Sequence, residues 1–234
     1  MVDGVTGAPE VGASRAAGRD HAVVVGASMA RLLAARVLAD HFARVTVVER
    51  DRPPADPSPR GGVPQGRHVH VLLMRGKQLL EGFFPGLDTE LAEAGAPRMD
   101  MIAEFPILGI GGWSCRFPSP YVARACSRPL LEGVVRRRLA TLPHVHPLDG
   151  HVVTGLAADS ARVTGVRVRA RGDAGAREGT MWADLVVDAS GRDSRAPEWL
   201  ATLGYERPRE TTINAFLGYA SRLYEPPAGG LGPH

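Results

Sequence analysis

The chain has 234 residues, which is enough for one large domain or for one domain and part of a second. Its net charge of +3 comes almost entirely from arginine, and the arginines form no continuous basic stripe with interleaved aromatic residues, so we expect no nucleic-acid partner. No apolar run approaches the length of a membrane span, and residues 1–20 lack the apolar segment of a signal peptide. The composition therefore predicts a cytoplasmic protein without a membrane span.

Residues 1–20 are rich in glycine and alanine and have no hydrophobic period, which predicts a disordered tail. The two cysteines, Cys115 and Cys126, show neither CxxC spacing nor a disulfide framework. This usage favours a reducing compartment.

The first ordered elements are predicted to form a βαβ unit. Residues 21–25 are an apolar run bounded by glycine, as in a strand buried on both faces, and apolar residues keep helical spacing over 29–40. A second buried strand is predicted over 45–49. This layout is typical of a dinucleotide site, in which a helix N-terminus faces a pyrophosphate.

The glycine fingerprint of such a site is altered here. Gly26 supplies the tight turn, while Ser28 and Arg31 stand at the other two glycine positions. Serine is a tolerable replacement where the phosphates approach the backbone. Arg31 is expected to push the helix outward or to extend its side chain into solvent, and so to weaken cofactor binding.

A carboxylate lies where an adenosine ribose would be bound. Glu49 ends the second predicted strand, 23 residues after Gly26, and could accept both ribose hydroxyls. Because the fingerprint is damaged, an ordinary βαβ unit that binds no ligand remains the alternative at this point.

The next elements are a loop and two helices. Prolines and glycines predict a long surface loop over 51–66. Helices are predicted over 72–84 and over 128–142, the latter with Ser127 as its N-cap and proline in its first turn.

Two β-rich stretches accompany these helices. Residues 101–122 are rich in β-formers, glycine and proline, and are assigned to a second, inserted domain. From residue 151 an antiparallel meander is predicted, with the arginines of 166–171 on a solvated face. Residues 183–200 indicate another buried strand, a Gly/Ser turn and a short helix.

Five strings carry a family resemblance in their order along the chain: GASMARLLAARVL, VTVVERD, GVPQGRHVHVLL, SRPLLEGVVRRRL and DLVVDASGRDSRAPEWL. Together they resemble FAD-dependent monooxygenases of the p-hydroxybenzoate hydroxylase type, with their geranylgeranyl reductase and flavin halogenase relatives. The resemblance implies an α/β fold, a glutathione-reductase-like FAD-binding domain (Rossmann-type ββα) with an inserted, incomplete β-rich substrate domain. It implies an FAD-binding domain over 21–200, interrupted by 99–122, and the start of the substrate domain over 201–234.

The resemblance also implies cofactor contacts. Most of these contacts involve the pyrophosphate turn, the adenosine ribose, the adenine and the flavin side of the cofactor. Others belong to a second motif, spelled DASG, which in the family is linked to NAD(P)H use. Arg67 is implied to contact the cofactor or an incoming nicotinamide phosphate. The implied contacts are Gly26, Ala27, Ser28, Met29, Glu49, Arg50, Arg67, Arg128, Val153, Asp188 and Gly191.

The implied activity is NAD(P)H-dependent hydroxylation of an aromatic or polyketide-like small molecule, with FAD as cofactor. Two alternatives stay open: a flavin-dependent reductase of an isoprenoid double bond, and a non-catalytic fragment that needs a second chain to complete its fold. The family's later Gly-Asp motif is not found in the sequence, so the chain alone is not expected to turn over. No catalytic acid or base is identified, and His68 and His70 have no third ligand nearby that would predict a metal site.

Overall fold

The computed structural model describes residues 20–26, 28–54, 56–160, 162–173, 175–222 and 224–225. The predicted tail over 1–20 lies outside the described residues except for Asp20, and so does the implied cofactor contact Ala27.

Twelve strands and five helices are found in the described residues. In chain order they are β1 (His21–Gly26), α1 (Met29–Leu38), β2 (Arg44–Glu49), β3 (Val71–Leu72), α2 (Met74–Phe83), α3 (Leu87–Glu93), β4 (Arg98–Asp100), β5 (Leu108–Gly109), β6 (Gly112–Trp113), β7 (Val122–Ala125), α4 (Arg128–Ala140), β8 (Val145–Asp149), β9 (His151–Ala158), β10 (Val163–Ala170), β11 (Gly179–Trp182), β12 (Leu185–Ala189) and α5 (Ala196–Thr202).

The predicted βαβ unit is confirmed. Strands β1 and β2 pair in parallel and α1 connects them, with the helix ending at Leu38, two residues before its predicted end. The central sheet has the order β12-β1-β2-β8 and all its strands are parallel. This architecture confirms the predicted Rossmann-type α/β fold.

Three layers result from the alternation of side chains along β1. Ala22 and Val24 pack against the helices, in a core that includes Leu32 and Val134. Val23 and Val25 face the other way, into a core built with the antiparallel sheet β11-β10-β9. Because successive strand residues point to opposite faces, β1 belongs to both cores.

The antiparallel meander is confirmed. In β10, Val166 and Val168 are buried while Arg167 and Arg169 are exposed, as the alternation predicted. Arg171, the last residue of the arginine series, is exposed as well, and it also pairs with Asp51 in the loop after β2.

Helix α4 is confirmed, and a neighbouring strand was not predicted. The Oγ of Ser127 accepts a hydrogen bond from the N–H of Leu130 at 3.2 Å, which is the expected cap. Strand β8 was missed because its letters, VHPLD, include a proline and leave most side chains outside the core. Strand β12 is half-buried rather than buried, because it forms the edge of the sheet.

Residues 99–122, the predicted insertion, contribute to a small antiparallel sheet. Strand β7 pairs with both β3 and β4. Strands β5 and β6 form a short hairpin that lies between β4 and β7 in the chain. The buried carboxylate of Asp100 accepts hydrogen bonds from the backbone N–H groups of Ile102, Ala103 and Ser119 and from the Ser119 hydroxyl. One side chain therefore fixes both ends of this segment.

None of the helices in the described part of the chain has the length and apolar content needed to cross a membrane.

We predict that Asp100→Asn lowers the thermal unfolding temperature at neutral pH. The hydrogen bonds from Ser119 and the neighbouring backbone hold the pKa of the Asp100 carboxyl well below its usual range, so its contribution is present above the unfolded-state pKa and is lost on acidification. The difference from the unmodified chain should therefore shrink as pH falls below about 4. Melting curves at several pH values, with the exposed turn variant Asp173→Asn as control, measure this. An equal difference at every pH would contradict it.

Candidate dinucleotide site

The carboxyl ends of the four parallel strands define one edge of the central sheet. Strand β1 is flanked by β2, which follows it in the chain through α1, and by β12, which joins the other side from late in the chain, so the strand order changes direction at β1. In open α/β sheets, such a switch point forms a crevice where ligands bind. Gly26 and Ala189 end the two strands there and are partners in the sheet register.

The turn after β1 requires glycine. Gly26 has a φ of +143°, and a Cβ on it would lie 2.3 Å from the carbonyl oxygen of Ala189. Helix α1 begins directly afterwards, with Ser28 in an extended N-cap conformation and Met29 as its first residue. A helix N-terminus at a tight glycine turn presents backbone N–H groups to an anion.

Arg128 reaches this turn from α4. Its Nη2 donates a hydrogen bond to the Oγ of Ser28 at 2.6 Å, across a sequence separation of 100 residues. Two implied cofactor contacts are thereby brought together at the start of α1. A guanidinium beside a helix N-terminus is suited to a phosphate group.

The expected placement of Arg31, with the helix pushed outward or the side chain in solvent, was wrong. Its side chain is 2% exposed, and its Nη1 lies 2.9 Å from Oε2 of Glu49 and donates to the carbonyl oxygen of Gly26 at 3.2 Å. Helix α1 still packs closely, since Leu32 and Ala35 are at most 1% exposed. The guanidinium has turned inward because a buried carboxylate is available to pair with it.

Glu49 is enclosed by its partners. Its Oε1 accepts a hydrogen bond from the N–H of Asp51 at 2.9 Å, and its Oε2 faces Arg31 and, at 3.6 Å, Nη1 of Arg60. Burial raises the pKa of the Glu49 carboxyl against the opposing effect of Asp51 and Arg31, and burial lowers the pKa of the Arg31 guanidinium. Burying the Glu49 carboxylate is therefore unfavourable by itself, and the ion pair with Arg31 stabilises it.

A charge network continues from Glu49 to α4. Arg60 binds Glu132 at 2.6 Å, and Glu132 also pairs with Arg128 at 3.6 Å and with Arg136 at 3.1 Å. These side chains line a cavity of about 250 Å³ between the loop after β2 and α4. Alternating charges thus run from Glu49, at the end of β2, to Arg128, which contacts Ser28 at the start of α1.

A second cavity lies at the switch point itself. It has a volume of about 160 Å³ and is bounded by Gly26, Glu49, Arg50, Val153 and Trp199, among others. The indole Nε1 of Trp199 is buried and has no hydrogen-bond partner within the described residues. These five residues come from four distant parts of the sequence and surround one space of the size of part of a nucleotide.

The DASG motif follows β12 and contributes Ser190 to the lining of this cavity. Asp188 accepts hydrogen bonds from the backbone and hydroxyl of Ser190 and from the hydroxyl of Ser194. Gly191 has a φ of +87°, so the turn favours glycine. The side chain of Asp188 therefore holds the turn, and Ser190 and Asp193 line the cavity.

Arg67 lies apart from these residues. It ends a 3₁₀ turn over Pro64–Arg67 and is exposed, and it lines neither of the two cavities. Sequence reasoning missed Arg60, Glu132 and Trp199. The spacing of Glu132 and Arg136, one helical turn apart on α4, was a signal for an ion pair but not for its partner in a distant loop.

No cluster of three or more potential metal-ligating side chains occurs among the residues that the structure describes. The ring of His68 lies 2.9 Å from the hydroxyl of Ser221, and His70 lies 2.9 Å from the carbonyl oxygen of His68.

The sequence has curated relatives, although no family model matches it. Protein Rv3254 of Mycobacterium tuberculosis is 41% identical over 219 residues, which cover 90% of this chain and 46% of the relative. Kynurenine 3-monooxygenase of Salinispora arenicola is 33% identical over 180 residues, covering 74% of this chain and 36% of the relative. The chain thus spans less than half the length of these curated relatives.

Solved structures share the fold. p-Nitrophenol 4-monooxygenase PnpA from Pseudomonas putida has a TM-score of 0.54 at 19% identity, over 77% of this chain and 44% of that one. The myxobacterial chondrochloren halogenase CndH, described as a variant of FAD-dependent halogenases, has a TM-score of 0.52 at 22% identity, over 75% and 38% of the two chains. At these identities the likeness establishes the architecture.

We predict that Gly26→Ala lowers the free energy of unfolding by about 2 kcal/mol or more, because the new Cβ meets the Ala189 carbonyl and the positive φ is strained. Urea unfolding measures the change. Gly82→Ala is the matched control, since its Cβ meets no atom within 4 Å, and alanine in that helix should add about 0.5–1 kcal/mol. Equal effects of the two substitutions would show that β1 and β12 do not approach each other so closely.

Proposed function

Since the chain belongs to the family of FAD-dependent monooxygenases, over the N-terminal part of its members, we propose that it binds FAD at the carboxyl edge of β1, β2 and β12. The proposal rests chiefly on the joining of Ser28 and Arg128 at the start of α1, beside a turn that admits only glycine. A phosphate-binding turn and a cation from a distant helix converge there.

The residues present fit the adenosine diphosphate part of FAD. The Gly26 turn and the first N–H groups of α1 suit the pyrophosphate, and Arg128 adds the positive charge. The cavity at the switch point suits the adenine, and Val153 and Trp199 are among the residues that line it. The ribose position departs from the family pattern, because the carboxylate of Glu49 is held by Arg31.

Each of these groups contributes binding and orientation. When bound, FAD supplies the redox chemistry, and the protein positions it and excludes water. Arg128 would balance the phosphate charge while Ser28 orients its guanidinium. Asp188 fixes the turn through Ser190 and Ser194, so the backbone near Gly191 keeps one conformation beside the cofactor.

We further propose that the complete protein takes electrons from NAD(P)H and hydroxylates an aromatic or polyketide-like molecule. The insertion over 99–122 would contribute to the substrate domain, which 201–234 would begin. The exposed apolar side chains of the insertion, including Ile107, Leu108 and Trp113, support a role in covering a small molecule or in contacting a further segment or second chain. Arg67, which is exposed and lines neither cavity, is the proposed contact for a nicotinamide phosphate.

A cytoplasmic location is part of the same proposal. Cys115 and Cys126 are both unpaired, which is usual for proteins in a reducing compartment.

We predict that the chain binds FAD, so that titration with the chain quenches or shifts the FAD fluorescence. Arg128→Gln should weaken FAD binding by about tenfold to a hundredfold. Losing a charge-assisted contact with a phosphate has an effect of that order. The control is Arg169→Gln, on the exposed face of β10. Equal affinities in the two variants would remove Arg128 from the cofactor site, and no FAD binding by the unmodified chain would contradict the proposed function.

A further inference from the structure

The guanidinium of Arg31 closes the crevice between the ends of two strands. It contacts the carbonyl oxygen of Gly26, at the end of β1, and the carboxylate of Glu49, at the end of β2. A dinucleotide ribose would occupy this edge, because the acidic residue that ends β2 is the usual acceptor for its hydroxyls.

Neither oxygen of Glu49 is available to a ligand in this arrangement. The Oε1 accepts from the backbone of Asp51, the Oε2 faces Arg31 at 2.9 Å, and the side chain is 0% exposed. Although the residue lines the cavity at the switch point, a ribose hydroxyl would have to displace the guanidinium to reach its carboxylate.

We propose that Arg31 is a specificity-determining residue that withholds Glu49 from the ribose. The site then recognises an adenine nucleotide by its phosphates and base, and discriminates weakly between nucleotides with and without ribose hydroxyls. This inference rests on the proposed function, because it assumes that a nucleotide binds at this edge.

The charges around the pair explain why the arrangement persists. Asp149 is the register partner of Glu49 in the sheet, and attraction to Arg31 lowers the pKa of the Asp149 carboxyl, although burial raises it more. Arg31 thus lies near two carboxylates, of which Glu49 is buried and Asp149 is exposed, and it shares their neutralisation with neighbouring arginines. Removing Arg31 still leaves Arg60 at 3.6 Å from Glu49, so the carboxylate keeps a counter-charge.

A steric explanation makes a different prediction. If Arg31 only occupies space, shortening it improves binding whether or not residue 49 carries a charge. If Arg31 withholds the carboxylate, the improvement requires the ionised Glu49. The variants Arg31→Gly and Arg31→Gly/Glu49→Gln therefore separate the two explanations, and Arg31→Ala is measured alongside in case glycine destabilises α1.

The experiment is calorimetric titration of ADP and of 2′,3′-dideoxy-ADP, which lacks both ribose hydroxyls. We expect the unmodified chain to bind both with similar affinity. Arg31→Gly and Arg31→Ala should prefer ADP by about tenfold or more, the usual effect of charge-assisted hydrogen bonds. The double variant should lose that preference.

Two results would overturn the inference alone. One is an unmodified chain that already prefers ADP as strongly as Arg31→Gly does, and the other is a preference that persists in the double variant. If no form of the chain binds ADP while thermal melts show that all are folded, the proposed function fails and the inference fails with it.

Discussion

The burial of β1 on both faces is the constraint on which the rest of the structure depends. Its alternate side chains enter two different cores, one shared with the helices and one with the antiparallel sheet. The backbone of such a strand is shielded from water, so its N–H and C=O groups must form hydrogen bonds with a neighbouring strand along each edge. The close approach of Gly26 to Ala189, and with it the crevice at the switch point, follows from this pairing.

The sequence predicts those parts of the fold that local patterns determine. The apolar run of β1, the Ser127 cap of α4 and the alternation in β10 each have one physical interpretation, and all three are confirmed. Strand β8 has no comparable pattern, because it is recruited by pairing with β2 rather than by its own side chains. Arg60 and Trp199 likewise belong to the site only through tertiary contacts.

Arg31 shows why the site is harder to predict than the fold. From position alone, a long charged side chain in a close-packed turn was expected to leave the protein interior. Its actual direction depends on a carboxylate that lies 18 positions later and becomes its neighbour only when β1 and β2 pair. A buried charge is stable when its partner is buried with it. The partner, rather than the available space, decides where the side chain goes.

The ion pair of Arg31 and Glu49 gives the departure from the glycine fingerprint a physical consequence. A glycine at position 31 would leave Glu49 facing the crevice with its charge available, whereas arginine moves the negative charge into an internal ion pair. Under the proposed function, phosphate recognition would survive this exchange, because it would rely on the start of α1 and on Arg128, which reaches Ser28 from another helix. If the proposed function holds, the scaffold for a dinucleotide is separable from the recognition of its ribose, and the ion-paired residues at positions 31 and 49 would act as one coupled unit within it.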